Sequence, residues 1–155
     1  KCNILSALFL KKNEHQEIKT LVNHLAPNCK SNQKVKNVLS SESKGVYQGK
    51  IYVKDIAQKT DAYQLSKALL LDDNAEFNSK PELEIYADDV KCSHGSSSGN
   101  IDQDSLHYLM TRGLSRNDSI KLLIKGFLND VTEFIKSSSI RKFIESKLEQ
   151  QIDGR

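Results

Sequence analysis

A thiol and an imidazole stand two residues apart in this chain, at Cys92 and His94. Alternate side chains of a β-strand point to the same face, so the two groups share a face if one strand runs through both. Imidazole exchanges protons near neutral pH and binds metals through one nitrogen, and a thiolate is a ligand for iron. The pair predicts a metal-binding or proton-transfer site. The simpler interpretation is a structural histidine beside a small core cysteine.

The residues around this pair predict the element that carries it. Leu83 and Ile85 alternate with polar residues, which is typical of a half-buried strand. The Asp88–Asp89 pair predicts a turn, because Asp side chains bond the backbone two residues on. The small residues of Ser96–Gly99 predict a loop, which would put His94 at the end of its strand.

The charge and the apolar runs of the chain argue against nucleic acid and membrane partners. The 155 residues carry 23 Lys and Arg against 20 Asp and Glu, and the lysines are mostly scattered singly. A nucleic-acid-binding domain has a clustered basic face and a higher pI. We therefore expect no nucleic acid partner. The apolar run Ile4–Leu10 predicts a buried strand, because it is far shorter than the roughly 20 residues of a membrane helix and no cleavage site of small residues follows it. We expect no membrane partner.

The three cysteines are widely separated and form no Cys-x-x-Cys motif. This spacing argues against a disulfide framework and favours a reducing compartment. Cys29, Cys92, His24 and His94 are of the types that bind zinc, but only Cys92 and His94 are close in sequence. A structural zinc site normally has four ligands at recognisable spacing, so the sequence argues against one.

The first hundred residues predict a β architecture, because short apolar clusters alternate with polar turns. This pattern does not separate a sandwich from a β-solenoid. No Asn-Gly or Asp-Gly pair precedes residue 100, which weakens the interpretation as antiparallel hairpins. The predicted turns lie at Asn13–Glu14, Pro27–Asn28, Ser40–Ser43, Asp72–Asn74 and Asn78–Pro81.

After Gly99 the apolar period changes from two to about 3.6, which predicts helices. Asp102 and Ser115 are predicted N-caps, and Gly113 is predicted to follow the end of the first helix. Apolar residues from Ile120 to Ile135 make one stripe over about five turns. A third helix is predicted after Ser137–Ser139, with apolar positions Ile140, Phe143, Ile144, Leu148 and Ile152.

Several spaced motifs resemble the SUF-system iron–sulfur cluster assembly scaffold family (SufB/SufD). They include the Lys-Cys-Ser-His-Gly run of residues 91–95, which is similar to the SufD type. The resemblance extends from about His24 to about Val131. Family members are much longer, so the chain resembles a C-terminal portion. The other motifs are Gln58–Ala62, Leu69–Leu71, Lys80–Pro81 and Leu106-x-Tyr108-Leu109-x-x-Arg112-Gly113.

The resemblance implies a mainly β fold with α. Residues 1–100 would be the C-terminal part of a right-handed parallel β-helix, and residues 101–155 a helical subdomain. It implies a non-enzymatic SufD-like scaffold without a tightly bound cofactor. His94 and Cys92 would serve cluster assembly, as transient metal ligands for an iron–sulfur cluster of the assembled complex.

The resemblance also implies partners. A SufB-like subunit would pair with the chain, and a SufC-like ABC-type ATPase would dock on its C-terminal helices. A homodimer is left open. The expected location is the bacterial cytoplasm, or an organelle interior if a targeting segment is missing. The predicted partner-binding residues are Leu106, Tyr108, Leu109, Arg112 and Gly113.

Two alternatives stay open at the level of sequence. A SufB-like subunit would carry the main cysteine acceptors, but no cysteine lies between Cys29 and Cys92. A carbohydrate-active β-helix enzyme would show a carboxylate or basic cluster or regular hexapeptide repeats. Neither pattern is visible, and 6% aromatic residues without tryptophan offer little surface for sugar stacking.

Overall fold

The computed structural model describes residues 1–154 and shows a parallel β-helix followed by three helices. The strands are β1 Cys2–Leu10, β2 His15–His24, β3 Lys30–Leu39, β4 Lys44–Val53, β5 Asp61–Leu70, β6 Glu76–Ile85 and β7 Lys91–Asn100. The helices are α1 Gln103–Thr111, α2 Arg116–Thr132 and α3 Ser138–Asp153.

Successive strands alternate between two parallel sheets. One sheet has the order β1-β3-β5-β7 and the other β2-β4-β6, so no two consecutive strands are paired as a hairpin. Cys2 pairs with Ser31 and Asp61 with Lys91, so one coil takes about 30 residues. This topology confirms the predicted parallel β-helix and excludes the sandwich.

One predicted turn and one predicted loop are wrong. Asn78–Pro81 lies inside β6, and Ser96–Gly99 lies inside β7. Both strands are at sheet edges in the described chain, where proline is tolerated because every second N–H faces away from the neighbouring strand. The low β-propensity of Ser and Gly is overridden in β7 by in-register pairing with β5 along its whole length.

The interior of the β-helix contains a group of buried polar side chains. Tyr47, Gln33 and Gln64 are fully buried. The Tyr47 hydroxyl donates to Gln33 Oε1 at 3.4 Å, and Gln64 Nε2 donates to the Gly49 carbonyl at 3.1 Å. A Cβ at Gly49 would overlap the Tyr47 hydroxyl and the Gln64 amide, so glycine leaves the space that these groups occupy.

We therefore expect Gly49→Ala to lower the free energy of unfolding by about 2 kcal/mol, the cost of forcing atoms into a packed interior. Gly99→Ala is the matched control, because a Cβ there would meet nothing within 4 Å. Urea unfolding followed by circular dichroism measures both. Equal stability of the two variants would show that the interior around Tyr47 adjusts freely.

The predicted caps Asp102 and Ser115 are confirmed. Each accepts a hydrogen bond from the backbone N–H three residues on, and Gly113 has φ +95° after α1. The third helix begins within the Ser137–Ser139 run, and Ser137, which was not predicted as a cap, accepts from the N–H of Ile140. The stripe predicted to reach Ile135 overshoots, because α2 ends at Thr132. No helix within residues 1–154 is long and apolar enough to cross a membrane.

A side chain of α3 stabilises the segment that follows the end of α2. The Arg141 guanidinium, from α3, donates to the carbonyl oxygens of Glu133 at 3.0 Å and Ile135 at 2.7 Å. These bonds satisfy carbonyls just beyond the end of α2, and they stabilise the reversal of the chain between α2 and α3.

One apolar core joins the helices to the outer face of the first sheet. It is built by Phe9 and Val38 of the sheet together with Leu106, Ile120, Ile124, Leu128 and Ile152 of the helices. The strands end at Asn100 and α1 begins at Gln103. Because the core is shared, the division into domains at residues 100 and 101 stays a prediction.

Candidate functional site

His94 lies on the inner face of the last strand of the β-helix. Its neighbours two residues away define that face: Cys92 packs against an interior apolar cluster, and Ser96 Oγ accepts a hydrogen bond from Ser66 Oγ at 3.0 Å. Side chains alternate along a strand, so His94 faces the same way as both. Within the described chain β7 pairs only with β5, and His94 is exposed. The imidazole therefore sits at the open end of the β-helix, which we call the rim.

Cys92 is more enclosed than His94. Cys92 lies in the rung of Ala62 and, like Leu83 and Val90, packs against the interior apolar cluster that contains Ala62. Burial raises the pKa of the Cys92 thiol, and a hydrogen bond with the backbone of Ala62 only partly opposes this shift. A raised pKa keeps the group a thiol at neutral pH, whereas metals bind the thiolate. Cys92 is thus a partly buried residue at the edge of the interior that needs deprotonation before it can bind a metal.

The residues around His94 hold its strand in place. Ser66 Oγ lies 2.7 Å from Ser79 Oγ and donates to Ser96 Oγ, so hydroxyls link β7 to both sheets. A Cβ at Gly95 would lie 3.2 Å from Leu65 Cδ1, so this glycine makes room for the leucine beside it. The sequence did not predict the hydroxyl bond to Ser96 or the space that Gly95 provides, because Ser66 and Leu65 lie about 30 positions away in the chain.

The four residues of types that bind zinc, against which the sequence argued as a site, do not form a metal-binding group in the described chain. His24 is buried, and its Nε2 lies 2.9 Å from Ser31 Oγ. Burial lowers the pKa of His24. Among residues 1–154 no group of three or more His, Cys, Asp or Glu could hold a metal ion. The rim can contribute one imidazole and one thiol to a metal, and further ligands must come from elsewhere.

The residues predicted to bind a partner divide into two kinds. Leu106 is only 4% exposed and belongs to the shared core, so it supports α1 from beneath. Tyr108 is 56% exposed, and the Arg112 guanidinium lies 5.0 Å from its ring centroid. Tyr108 and Leu109 line an open groove of about 460 Å³ with Asp102, Asp104, Ser105 and Leu123. Gly113 follows the end of α1 with φ +95° and does not line this groove.

We expect Cys92→Ser to lower the free energy of unfolding by about 1 kcal/mol, because a more polar hydroxyl replaces a thiol that packs against an apolar cluster. If the chain serves cluster assembly, as the resemblance implies, the substitution should reduce that assembly less than a substitution of His94 does. Thermal unfolding and the iron content of the assembled complex measure the two effects. A stable variant with little iron would instead make the sulfur of Cys92 a ligand.

Comparison with known proteins gives a family and several relatives. The family model described as "SUF system FeS cluster assembly, SufBD core domain" matches residues 1–127. The iron–sulfur cluster assembly protein SufD of Escherichia coli is 36% identical over 92% of this chain. An iron–sulfur cluster assembly SufBD family protein of Synechocystis is 38% identical over 77%, and the chloroplastic protein ABCI7 of Arabidopsis thaliana is 39% identical over 67%.

The chain spans only part of these relatives. It covers 34% of the Escherichia coli protein, 26% of the Synechocystis protein and 22% of the Arabidopsis protein. The matched part of this chain includes the whole β-helix and the rim with His94.

Proposed function

The chain belongs to the SufBD family of the SUF system, and from this membership we propose that it acts as a scaffold for iron–sulfur cluster assembly rather than as an enzyme. The observation that carries the proposal is the exposed imidazole of His94 on the inner face of the last strand. An inward-facing side chain is normally covered by the next coil. Here it is free to meet a ligand.

The number of ligands argues for a partner at the rim. An iron–sulfur cluster is usually held by four protein ligands, most often thiolates. The rim offers His94 and the enclosed Cys92. We propose that a SufB-like subunit pairs with the chain here and supplies the other ligands. The cluster is then cargo built between two subunits, and His94 binds iron through one nitrogen or carries a proton during assembly.

The helices supply a second proposed contact. A SufC-like ABC-type ATPase docks on α1 and the adjoining groove, where Tyr108, Leu109 and Arg112 lie at the surface. Hydrolysis of ATP by that partner would change how the two scaffold subunits pair and so open the rim. Leu106 has no direct contact in this scheme, because it is buried.

The SufD-like assignment is preferred to the SufB-like one. A SufB-like subunit is expected to supply the main cysteine acceptors, whereas burial raises the pKa of the one cysteine at this rim. The SufD relative of Escherichia coli also matches 92% of the chain. We propose the cytoplasm of a bacterium or the interior of an organelle as its location, since a relative carries a chloroplastic name.

Reconstitution tests the scaffold role. Purified SufB-like subunit and ATPase are incubated with iron, a sulfide source and ATP, with and without this chain, and iron and sulfide are measured after gel filtration. The chain is expected to raise the cluster content of the complex. Equal cluster content with and without the chain would contradict the proposed function.

A further inference from the structure

We propose that Gln64 is a positioning residue for His94, a role that rests on the function proposed above for this histidine. The Gln64 side-chain oxygen accepts a hydrogen bond from one N–H of the imidazole. The bond fixes the orientation and the tautomer of the ring, so that the other nitrogen is presented at the rim.

The strand register brings the two side chains together. Gln64 and His94 are paired residues of the parallel strands β5 and β7, and both belong to the inner face. Neighbouring strands lie about 4.8 Å apart, so side chains in the same rung stack on each other. Gln64 is fully buried, whereas His94 is exposed. Gln64 thus lies one rung inside His94, on the same inner face.

The nitrogen of the Gln64 side-chain amide already has a hydrogen-bond partner. Its Nε2 donates to the Gly49 carbonyl at 3.1 Å, which fixes the amide and leaves Oε1 as its free acceptor. Oε1 is buried and has no hydrogen-bond partner within residues 1–154. Buried polar atoms in native proteins nearly always have a partner. The side chains in the flanking rungs are Gln33 on one side and His94 on the other.

Gln33 is the competing partner. Its Nε2 is likewise buried without a partner, and its Oε1 accepts from the Tyr47 hydroxyl at 3.4 Å. The two glutamine amides are not bonded to each other in the structure. Only His94 combines a donor with exposure to solvent, so a hydrogen bond to it can form by rotation of a free side chain without repacking of the interior.

The expected consequence follows from the way metal-binding histidines are oriented in other proteins. A hydrogen bond from the second ring nitrogen sets the tautomer and orientation, and its loss typically costs 10–100-fold in metal affinity. Gln64 would have this effect on His94 without touching the cargo.

The test compares Gln64→Met with Gln33→Met, two substitutions of similar volume that each remove one buried amide. The readout is the pair of imidazole ¹⁵N chemical shifts of His94, recorded under mildly alkaline conditions where imidazole is neutral. Wild type and Gln33→Met are expected to show one dominant tautomer, and Gln64→Met a mixture. A tautomer ratio that is the same in all three proteins would overturn the positioning role and favour a bond between the two glutamines.

A second measurement needs no variant. If Gln64→Met fails to fold, the ring N–H of His94 in the wild-type chain still reports on the bond, because a hydrogen-bonded imidazole proton exchanges slowly enough to be observed. A ring proton in fast exchange with water would overturn the proposal. The tautomer readout is also independent of cluster assembly. A tautomer shift in Gln64→Met together with normal cluster content in His94→Ala would uphold the positioning contact and reject the role proposed for His94 in cluster assembly.

Discussion

Replacing His94 by alanine is expected to reduce the iron and sulfide recovered with the assembled complex by about tenfold or more, the scale on which lost metal-site contacts act. The side chain is exposed at the rim, so its removal leaves no cavity in the core. The melting temperature and the retention of the ATPase should therefore stay close to wild type. Metal analysis of the gel-filtered complex provides the measurement.

Ser98→Ala is the matched control for this substitution. Ser98 lies on the same face of β7 as His94 and is also exposed, but its side chain is a weak ligand. We expect it to leave cluster content unchanged. Normal cluster content in His94→Ala would end the site hypothesis, and a lowered melting temperature with normal cluster content would make His94 a structural residue.

The second large effect is expected at Asp130, which joins α2 to the β-helix. Its carboxylate pairs with Lys34 at 3.0 Å and Lys36 at 2.6 Å, and these lysine side chains are only 11% and 7% exposed. The ammonium groups also lie over the rings of Phe134 and Phe127. Asp130→Asn would leave two enclosed positive charges without a counter-charge. We expect it to lower the free energy of unfolding by about 3 kcal/mol, the lower end for breaking a buried pair, since Asp130 itself is 42% exposed.

The same cluster gives a dependence on pH. Hydrogen bonds from Lys36 and Lys34 lower the pKa of Asp130 below its ordinary value. The folded state therefore favours the carboxylate, and its contribution is complete above the pKa of an unfolded Asp, about 3.9. The contribution is lost as the pH falls through the lower folded pKa, so the gap between wild type and Asp130→Asn should close in acid.

Asp153→Asn controls for the loss of a charge alone. Asp153 pairs with Lys121 at the surface of the helices, and its side chain is 72% exposed. Its substitution should cost a small fraction of what Asp130→Asn costs. Urea unfolding at neutral and acid pH measures all three proteins. Similar losses at both positions would mean that water solvates the two lysines.

Features set by neighbouring residues were predictable from the sequence. The caps of the first two helices depend on a side chain and the backbone N–H three residues on, so Asp102 and Ser115 were predictable directly. The alternation that puts Cys92 and His94 on one face is equally local. The change from strand to helix near residue 100 follows from apolar periodicity alone.

Features set by distant residues were not predictable. Ser96–Gly99 is a strand because β5 supplies its hydrogen bonds, and its own residues favour a loop. Arg141 binds carbonyls beyond the end of α2, which the apolar stripe does not reveal. The placement of Gln64 beneath His94 depends on the register between two strands 30 residues apart. No pattern within either strand specifies that register.

Co-purification tests the central claim, that the chain is a scaffold subunit, most directly. Tagged chain is mixed with a SufB-like subunit and a SufC-like ABC-type ATPase, and the eluted species are weighed by native mass spectrometry. We expect one complex that contains all three proteins, and we expect Tyr108→Ala to release the ATPase while the SufB-like subunit is retained. Recovery of the chain alone, with neither protein bound, would contradict the account.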